Sequence, residues 1–250
     1  MPNNVEAIKR VIVAADVDTA EEFEDLIKRF KPEGFNFFKV GLQLISAEGP
    51  RVVEIAKKYG VIVFYDGKVC DIPNTCQQAI ANISKTGADI CNIHASAGLE
   101  AMQKANSAKG KAKLFAVTVL TSIGENLCHE IYGQERTRIE TVLQFAFMAE
   151  EAGLDGVICS GEELIPLRKT WFKLLIIVPG IRPDWAPPQD QQVFMTPCQA
   201  FENGADAIVI GRALTNPPPG ISQEEAIRRI KEELDGIYVR GDFDECLGNF

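Results

Sequence analysis

The chain has 250 residues, of which 46% are hydrophobic and 24% charged, a composition typical of an ordinary soluble globular protein. It carries 26 Lys and Arg against 35 Asp and Glu, and the net charge of −9 argues against a general binder of nucleic acid or anionic membranes. No apolar run approaches the ~20 residues of a membrane helix, and the first ten residues do not resemble a secretory signal. With seven cysteines, no CxxC pair and only two histidines, we expect reduced thiols, a cytoplasmic protein and no zinc site.

Eight short apolar runs, rich in Val, Ile, Leu and Phe, recur along the chain. None alternates cleanly with polar residues, so each predicts a strand buried on both faces, as in a parallel sheet covered by helices. The predicted strands are 11–15, 35–40, 61–65, 88–93, 114–120, 156–159, 174–178 and 207–210.

Helical segments lie between these strands. Thr19-Ala-Glu-Glu22 predicts a capping box that opens a helix to about residue 30, and Ser222-x-x-Glu225 predicts the cap of a last helix to about residue 234. The other predicted helices are 47–59, 73–86, 99–108, 138–152, 162–170 and 196–204. This alternation predicts a single (β/α)8 TIM barrel, an α/β fold, over 1–235, followed by a tail at 236–250. The alternative, a doubly wound open sheet, is weakened by the lack of GxGxxG and GxxxxGK[ST] motifs.

Active sites of such barrels lie at the carboxyl ends of the strands. Asp66 and Lys68 follow the third predicted strand, two residues apart, and therefore point to the same side. Asp71 precedes the next helix, and Lys39 ends the neighbouring strand. Carboxylates that flank an ammonium group keep it protonated, which suits a lysine acting as a proton donor. The alternative is a structural network of ion pairs at the rim.

Glycines and arginines follow the seventh and eighth predicted strands, in Pro179-Gly180-Ile-Arg182 and Gly211-Arg212. Backbone N–H groups of glycines, with an arginine, can hold a phosphate dianion, and these loops often bind phosphate in this fold. The alternative is that the glycines only permit tight turns and Arg212 pairs at the surface. The long loop 182–192 is a candidate lid over this site.

Over about residues 11–217 the chain resembles the orotidine 5′-phosphate decarboxylase family. The segments that carry the resemblance are Ala-Ala-Asp16, Phe-Lys39-Val-Gly-Leu-Gln-Leu-Ile, Asp66-Gly-Lys68-Val-Cys-Asp71-Ile-Pro-Asn-Thr75, Asn-Ile-His94, Val-Thr-Val-Leu-Thr-Ser122, Gly-Leu-Asp-Gly-Val-Ile-Cys-Ser160, Val-Pro-Gly180-Ile-Arg-Pro, Asp190-Gln191 and Ile-Gly211-Arg212. The resemblance implies a homodimeric barrel that converts orotidine monophosphate to uridine monophosphate without a metal or organic cofactor.

The resemblance also implies a role for individual residues. Lys39, Asp66, Lys68 and Asp71 would form the catalytic charge network, with Lys68 as the proton donor to C6. Asp71, Ile72 and Thr75 would come from the partner subunit. The substrate-binding residues would be Asp16 for the ribose, Ser122 for the pyrimidine, and Pro179, Gly180, Arg182, Gln191, Gly211 and Arg212 around the phosphate.

Two residues between the charged positions depart from the family pattern. Gly67 stands where a bulkier apolar residue is usual, and Cys70 stands where His is common. Two other functions stay open at this point. One is a Mg²⁺-dependent sugar-phosphate decarboxylase or synthase of the same superfamily, and the other is a non-catalytic barrel that binds a phosphate ligand.

Overall fold

The computed structural model describes residues 5–133, 135–170, 173–186, 195–241 and 243. After a two-residue strand, β1 (Val5–Glu6), eight strands form one closed parallel barrel. The barrel strands are Val11–Ala15 (β2), Phe37–Gly41 (β3), Ile62–Val69 (β4), Ile90–His94 (β5), Lys113–Val117 (β6), Gly156–Ile158 (β7), Leu175–Val178 (β8) and Ala207–Ile210 (β9). β9 pairs with β2, with Val209 opposite Ile12, so the sheet has no free edge. The predicted (β/α)8 barrel is confirmed, and the alternative of an open sheet is wrong.

Helices on the outside of the barrel connect the strands. They are Ala20–Phe30 (α1), Leu42–Glu48 (α2), Arg51–Lys58 (α3), Pro73–Lys85 (α4), Leu99–Ala108 (α5), Glu125–Tyr132 (α6), Arg138–Glu151 (α7), Gly161–Lys169 (α8), Pro197–Glu202 (α9), Arg212–Thr215 (α10) and Gln223–Glu233 (α11). The single helix predicted over 47–59 is wrong at its start, because Gly49 takes a left-handed φ of 68° and Pro50 follows it. Among the described residues, no helix is both long and apolar enough to span a bilayer.

The predicted helix caps are present as hydrogen bonds between side chains and backbone N–H groups. The Thr19 hydroxyl accepts the backbone N–H of Glu22 at 3.2 Å, and the Glu22 carboxylate accepts that of Thr19 at 3.1 Å. Ser222 accepts the N–H of Glu225 at 3.2 Å. Each cap stabilises its helix by about 1 kcal/mol, because it satisfies donors that the first turn leaves unpaired.

The barrel strands are buried on both faces, which explains why their sequences do not alternate. All five residues of β2 are buried. Phe37, Phe64 and Phe115 fill the barrel interior, while the opposite faces pack against the helices. The core therefore has two layers, one inside the barrel and one between the barrel and the helices.

The segments 87–89, 153–155 and 204–206 repeat one structural device at the amino end of the barrel. In each, a glycine with positive φ ends a helical connection and an aspartate follows two residues later. The aspartate accepts a backbone N–H from a barrel strand and pairs with a cation. The aspartates with their strand and cation partners are Asp89 with Val63 and Lys57, Asp155 with Leu114 and Lys109, and Asp206 with Ile176 and Arg168.

Part of the predicted tail is built into the amino end of the barrel. Strand β10 (Tyr238–Val239) pairs antiparallel with β1. Phe243 is 1% exposed, and its ring centroid lies 6.1 Å from that of Phe37 and 6.3 Å from that of Phe115. The Arg10 guanidinium lies 5.0 Å from the Phe243 ring centroid. Phe243 therefore closes the interior layer on the side opposite the predicted site.

Candidate active site

Three of the four predicted network charges lie together at the carboxyl rim of the barrel. Lys68 donates from Nζ to Asp66 Oδ1 at 2.6 Å, both at the end of β4. Lys39 Nζ, on β3, lies 3.3 Å from Asp66 Oδ2 and 3.1 Å from Asp16 Oδ1. The side chain of Asp66 is only 9% exposed, so these ammonium groups replace the water that it would otherwise need.

The network fixes the charge states of its buried members. Burial opposes ionisation of Asp66, but Lys39 and Lys68 outweigh it and hold its pKa below the ordinary 3.8. Burial likewise opposes the charge on Lys39, but Asp66 and Asp16 raise its pKa above the ordinary 10.5. Asp66 therefore stays an anion and Lys39 a cation across the whole neutral pH range.

Lys68 has an unusual backbone conformation. Its φ is +47°, the one positive value at a non-glycine position in the described part of the chain. The register between β4 and β5 shifts between Tyr65 and Val69, so the strand bulges at this point. The bulge aims the Lys68 side chain back toward Asp66 rather than along the strand.

Asn92, on β5, bridges this bulge. Its Oδ1 accepts the backbone N–H of Lys68 at 2.8 Å, and its Nδ2 donates to Asp66 Oδ1 at 2.7 Å. The residue is 1% exposed. No motif of the sequence assigns Asn92 a role, and the signal that marks it is an Asn inside a run of buried apolar residues.

Two cavities open on either side of Lys39. The outer cavity has a volume of about 440 Å³, and the inner cavity about 200 Å³. Lys39, Pro179 and Val209 line both of them. The outer cavity is otherwise lined by Ala14, Asp16, Gln43, Gly180, Ile181, Arg182, Gly211, Arg212 and Ala213. The inner cavity is otherwise lined by Phe64, Asp66, Lys68, Asn92, Val117, Val119, Leu120, Thr121, Ile158 and Cys159.

The outer cavity collects most of the residues predicted to bind phosphate. Gly180 takes a left-handed φ of 78°, which only glycine adopts without strain, and Arg182 is buried. The base of the following loop is held by the Arg182 N–H, which donates to the Met195 carbonyl at 3.0 Å. Gln191 and most of the candidate lid lie outside the described residues.

Four predicted residues are not brought to these cavities. Asp71, Ile72, Thr75 and Ser122 are all exposed. The Asp71 carboxylate accepts the adjacent Ile72 N–H and forms no ion pair with another residue that the structure describes. Thr121, which precedes Ser122 in the Leu-Thr-Ser segment, lines the inner cavity in place of Ser122.

The Tyr65 ring explains the glycine at position 67. A β-carbon on Gly67 would lie 2.8 Å from Tyr65 Cε1, closer than van der Waals contact allows. The ring therefore occupies the space that a bulkier residue would need. Cys70, the second departure, is exposed and free.

Comparison with known proteins places the chain among these barrels. A profile described as "Orotidine 5′-phosphate decarboxylase / HUMPS family" matches residues 9–230. The chain belongs to this family. Orotidine 5′-phosphate decarboxylase of Streptococcus mutans is 37% identical over 221 residues, which cover 88% of this chain and 96% of that protein. The enzyme of that name from Streptococcus pneumoniae is 38% identical over 226 residues, 90% of this chain and 96% of that protein.

Two solved structures agree with the fold. Orotidine 5′-phosphate decarboxylase from Lactobacillus acidophilus has a TM-score of 0.77 and 32% identity, over 91% of this chain and all of that one. An uncharacterized conserved protein from Geobacillus kaustophilus has a TM-score of 0.75 and 34% identity, over 90% of this chain and all of that one. The resemblance drawn from the sequence motifs is thus confirmed at the level of the family.

Proposed function

We propose that this chain decarboxylates orotidine 5′-monophosphate to uridine 5′-monophosphate in de novo pyrimidine biosynthesis, with Lys68 as the proton donor. The names of its relatives state this activity for them. The observation that carries the proposal is the 2.6 Å bond between Lys68 and Asp66 on the wall of the inner cavity. An ammonium group held there by a carboxylate can stabilise negative charge that develops in the cavity.

The two cavities suit the two ends of a nucleoside monophosphate. We assign the phosphate to the outer cavity, the pyrimidine to the inner one, and the ribose to Asp16 and Lys39 between them. Arginine side chains and glycine backbone N–H groups suit a phosphate dianion, and apolar walls suit the faces of a base. The residues proposed to hold the phosphate are Gly180, Arg182, Gln191, Gly211 and Arg212, beside Pro179.

The chemical step breaks the bond between C6 and the carboxylate. Carbon dioxide leaves, the electron pair stays on C6, and a proton moves from Lys68 Nζ to C6. The neutral amine then regains a proton from solvent. Asp66 faces the departing carboxylate and keeps Lys68 in place, and the step as proposed uses no metal or organic cofactor. A hydroxyl of the loop after β6, Ser122 or the cavity-lining Thr121, would bond the pyrimidine edge.

We propose that a second copy of the chain completes each site with Asp71, Ile72 and Thr75. Two features support a homodimer arranged in this way. Ile72 is 67% exposed, the largest exposed fraction of any large apolar side chain among the described residues. Asp71 is exposed next to it, so its carboxylate is available to the ammonium groups of a neighbouring molecule.

Two other functions are less well supported. A Mg²⁺-dependent reaction on a sugar phosphate would need carboxylates for the metal, but Asp16 and Asp66 are already bonded to Lys39 and Lys68. A non-catalytic barrel would bind a phosphate ligand without needing a buried Lys–Asp–Lys network beside it. Both alternatives make different predictions for an activity assay.

The test is the loss of orotidine monophosphate absorbance, measured with and without a chelator. We expect chelator-resistant turnover by the native chain. Lys68→Ala should lower kcat by about a thousandfold or more while it still binds uridine monophosphate, because only the reacting end is changed. Lys104→Ala, at an exposed lysine on α5, is the control and should match the native enzyme. Undiminished turnover by Lys68→Ala would exclude the proton-donor role, and chelator-sensitive turnover would favour the metal-dependent reaction.

A further inference from the structure

Asn92 holds two members of the charge network at once. One end of its side-chain amide holds the main chain of Lys68, and the other end holds the side chain of Asp66. Asp66 Oδ1 accepts one hydrogen bond from Asn92 Nδ2 at 2.7 Å and another from Lys68 Nζ at 2.6 Å. Asn92 thus shares one oxygen atom with the ammonium group that the proposed reaction uses.

We propose that Asn92 is a positioning residue for Lys68, an inference that rests on the function proposed above for that lysine. A left-handed conformation is unfavourable for a non-glycine residue, so a specific contact must hold Lys68 at φ +47°. The bond from its N–H to Asn92 does this, and the bond from Asn92 to Asp66 sets the carboxylate that orients Nζ. The two bonds fix both ends of the proton donor.

Only an uncharged amide fits this position. Its oxygen accepts the Lys68 N–H and its nitrogen donates to the carboxylate of Asp66, so both partners are satisfied. A leucine of similar size would leave a buried N–H and a buried carboxylate oxygen with one bond fewer each. An ionised aspartate would accept the N–H but would set a second negative charge against Asp66.

The charged and titratable groups around Asn92 come from three strands. Asp66 and Lys68 face it from β4, and Lys39 of β3 lies behind Asp66. His94 lies two residues further along β5, and burial followed by the nearby Lys68 charge lowers its pKa below 6.5. On the other side, Asn92 pairs with Phe115 of β6, which is apolar. An acid placed at position 92 therefore interacts chiefly with Asp66.

The decisive variant is Asn92→Asp, assayed at saturating orotidine monophosphate. Two carboxylates in contact raise the pKa of one of them, so at about pH 5 the new side chain is a neutral acid that can still donate to Asp66. At that pH we expect a kcat within about tenfold of native. Once the new acid ionises, kcat should fall by about tenfold per pH unit, and by about pH 9 the total fall should be at least a hundredfold. KM should change less than about threefold, because the phosphate is held in the outer cavity.

Asn92→Ala, which has no titrating group, should lower kcat about equally at every pH, and thermal unfolding will show that each variant is folded at the assay temperature. Asn82→Asp, on an exposed face of α4, adds the same charge away from the site and should keep the native profile. A native kcat and pH profile for Asn92→Asp or Asn92→Ala would overturn the positioning role. If Lys68→Ala also turned over normally, the proposed function would have failed first, so the two failures are distinguishable.

Discussion

Gly41 leaves room for the ammonium group of Lys39. A β-carbon at this position would lie 2.8 Å from Lys39 Nζ and 3.2 Å from Asp16 Oδ1. The flexible lysine would move aside, so we expect Gly41→Ala to displace Lys39 from Asp66 and to lower kcat/KM about tenfold or more. The melting temperature should change by less than about 2 °C, because the moving group is a side-chain end rather than packed core. Steady-state kinetics measure kcat/KM, and thermal unfolding measures the melting temperature. A native kcat/KM for Gly41→Ala would show that Gly41 is not needed to leave room for Lys39.

For single residues, the sequence predicts the charged side chains of the site better than it predicts the residues that hold them in place. Lys39, Asp66 and Lys68 follow apolar strands directly, so their position at the rim can be derived from local order alone. Asn92 matters through its contacts with β4, and Gly41 through the space that Lys39 needs beside Asp16. No local pattern reveals either of these contacts. Pair contacts across a barrel require the register of neighbouring strands, and that register comes only from the folded chain.

The three Gly-x-Asp segments attach helices to strands at the end of the barrel opposite the site. Asp206 is 3% exposed and binds the Ile176 N–H together with Arg168 and Arg240. Removing the carboxylate leaves a buried N–H and a half-buried charge without their partner. We expect Asp206→Ala to cost about 3 kcal/mol and to lower the melting temperature by roughly 6–12 °C, with kcat unchanged. Thermal unfolding and turnover, measured on the same preparation, check this separation of stability from activity.

Glu100→Ala is the matched control for that experiment. It removes one side of the ion pair between Glu100 and Lys104, whose side chains are 69% and 44% exposed. Exposed pairs contribute little, so its melting temperature should stay within about 1 °C of native. A normal melting temperature for Asp206→Ala, or a loss of turnover in the folded variant, would show that the segment does not act as a purely structural anchor.

Element types follow from the sequence more closely than element ends. The eight apolar runs identify the eight barrel strands, because a doubly buried strand is continuously apolar. β4 nevertheless continues to Val69, beyond the predicted end at 65, since the bulge lets charged rim residues extend the ladder. Helix α6 was not predicted, because Glu125–Tyr132 is short and its Leu127 and Ile131 remain exposed.

The amino end of the barrel is closed by Phe243, a residue that lies far along the chain from the strands it packs against. Phe243 lies in an acidic segment with little apolar pattern, yet it packs between Phe37 and Phe115 inside the barrel. A single aromatic side chain produces no periodicity, so the sequence pattern predicts only a tail for this segment. The two ends of the barrel therefore differ in role, with structural contacts at the amino end and the proposed catalytic charges at the carboxyl end.

The proposed dimer predicts that two inactive variants restore activity together. If each site combines Lys68 of one chain with Asp71 of the other, Lys68→Ala and Asp71→Ala are each inactive alone. A mixed dimer of the two has one site with both changes and one site with neither. Random association makes half of the dimers mixed, so an equimolar mixture, unfolded and refolded together, should recover about a quarter of native activity.

A second mixture shows whether the recovery comes from a shared site. Lys68 and Asp66 of any one site come from the same chain. When Lys68→Ala is refolded with an Asp66→Ala variant, each site of a mixed dimer therefore has one defect. That mixture should stay inactive at the same protein concentration. Recovery in both mixtures would point to a general effect of association, and recovery in neither would show that the partner chain does not supply Asp71 to the site of Lys68. Recovery in the first mixture alone requires an interface that joins Asp71 of one chain to Lys68 of another, because no other arrangement builds an intact site from those two chains.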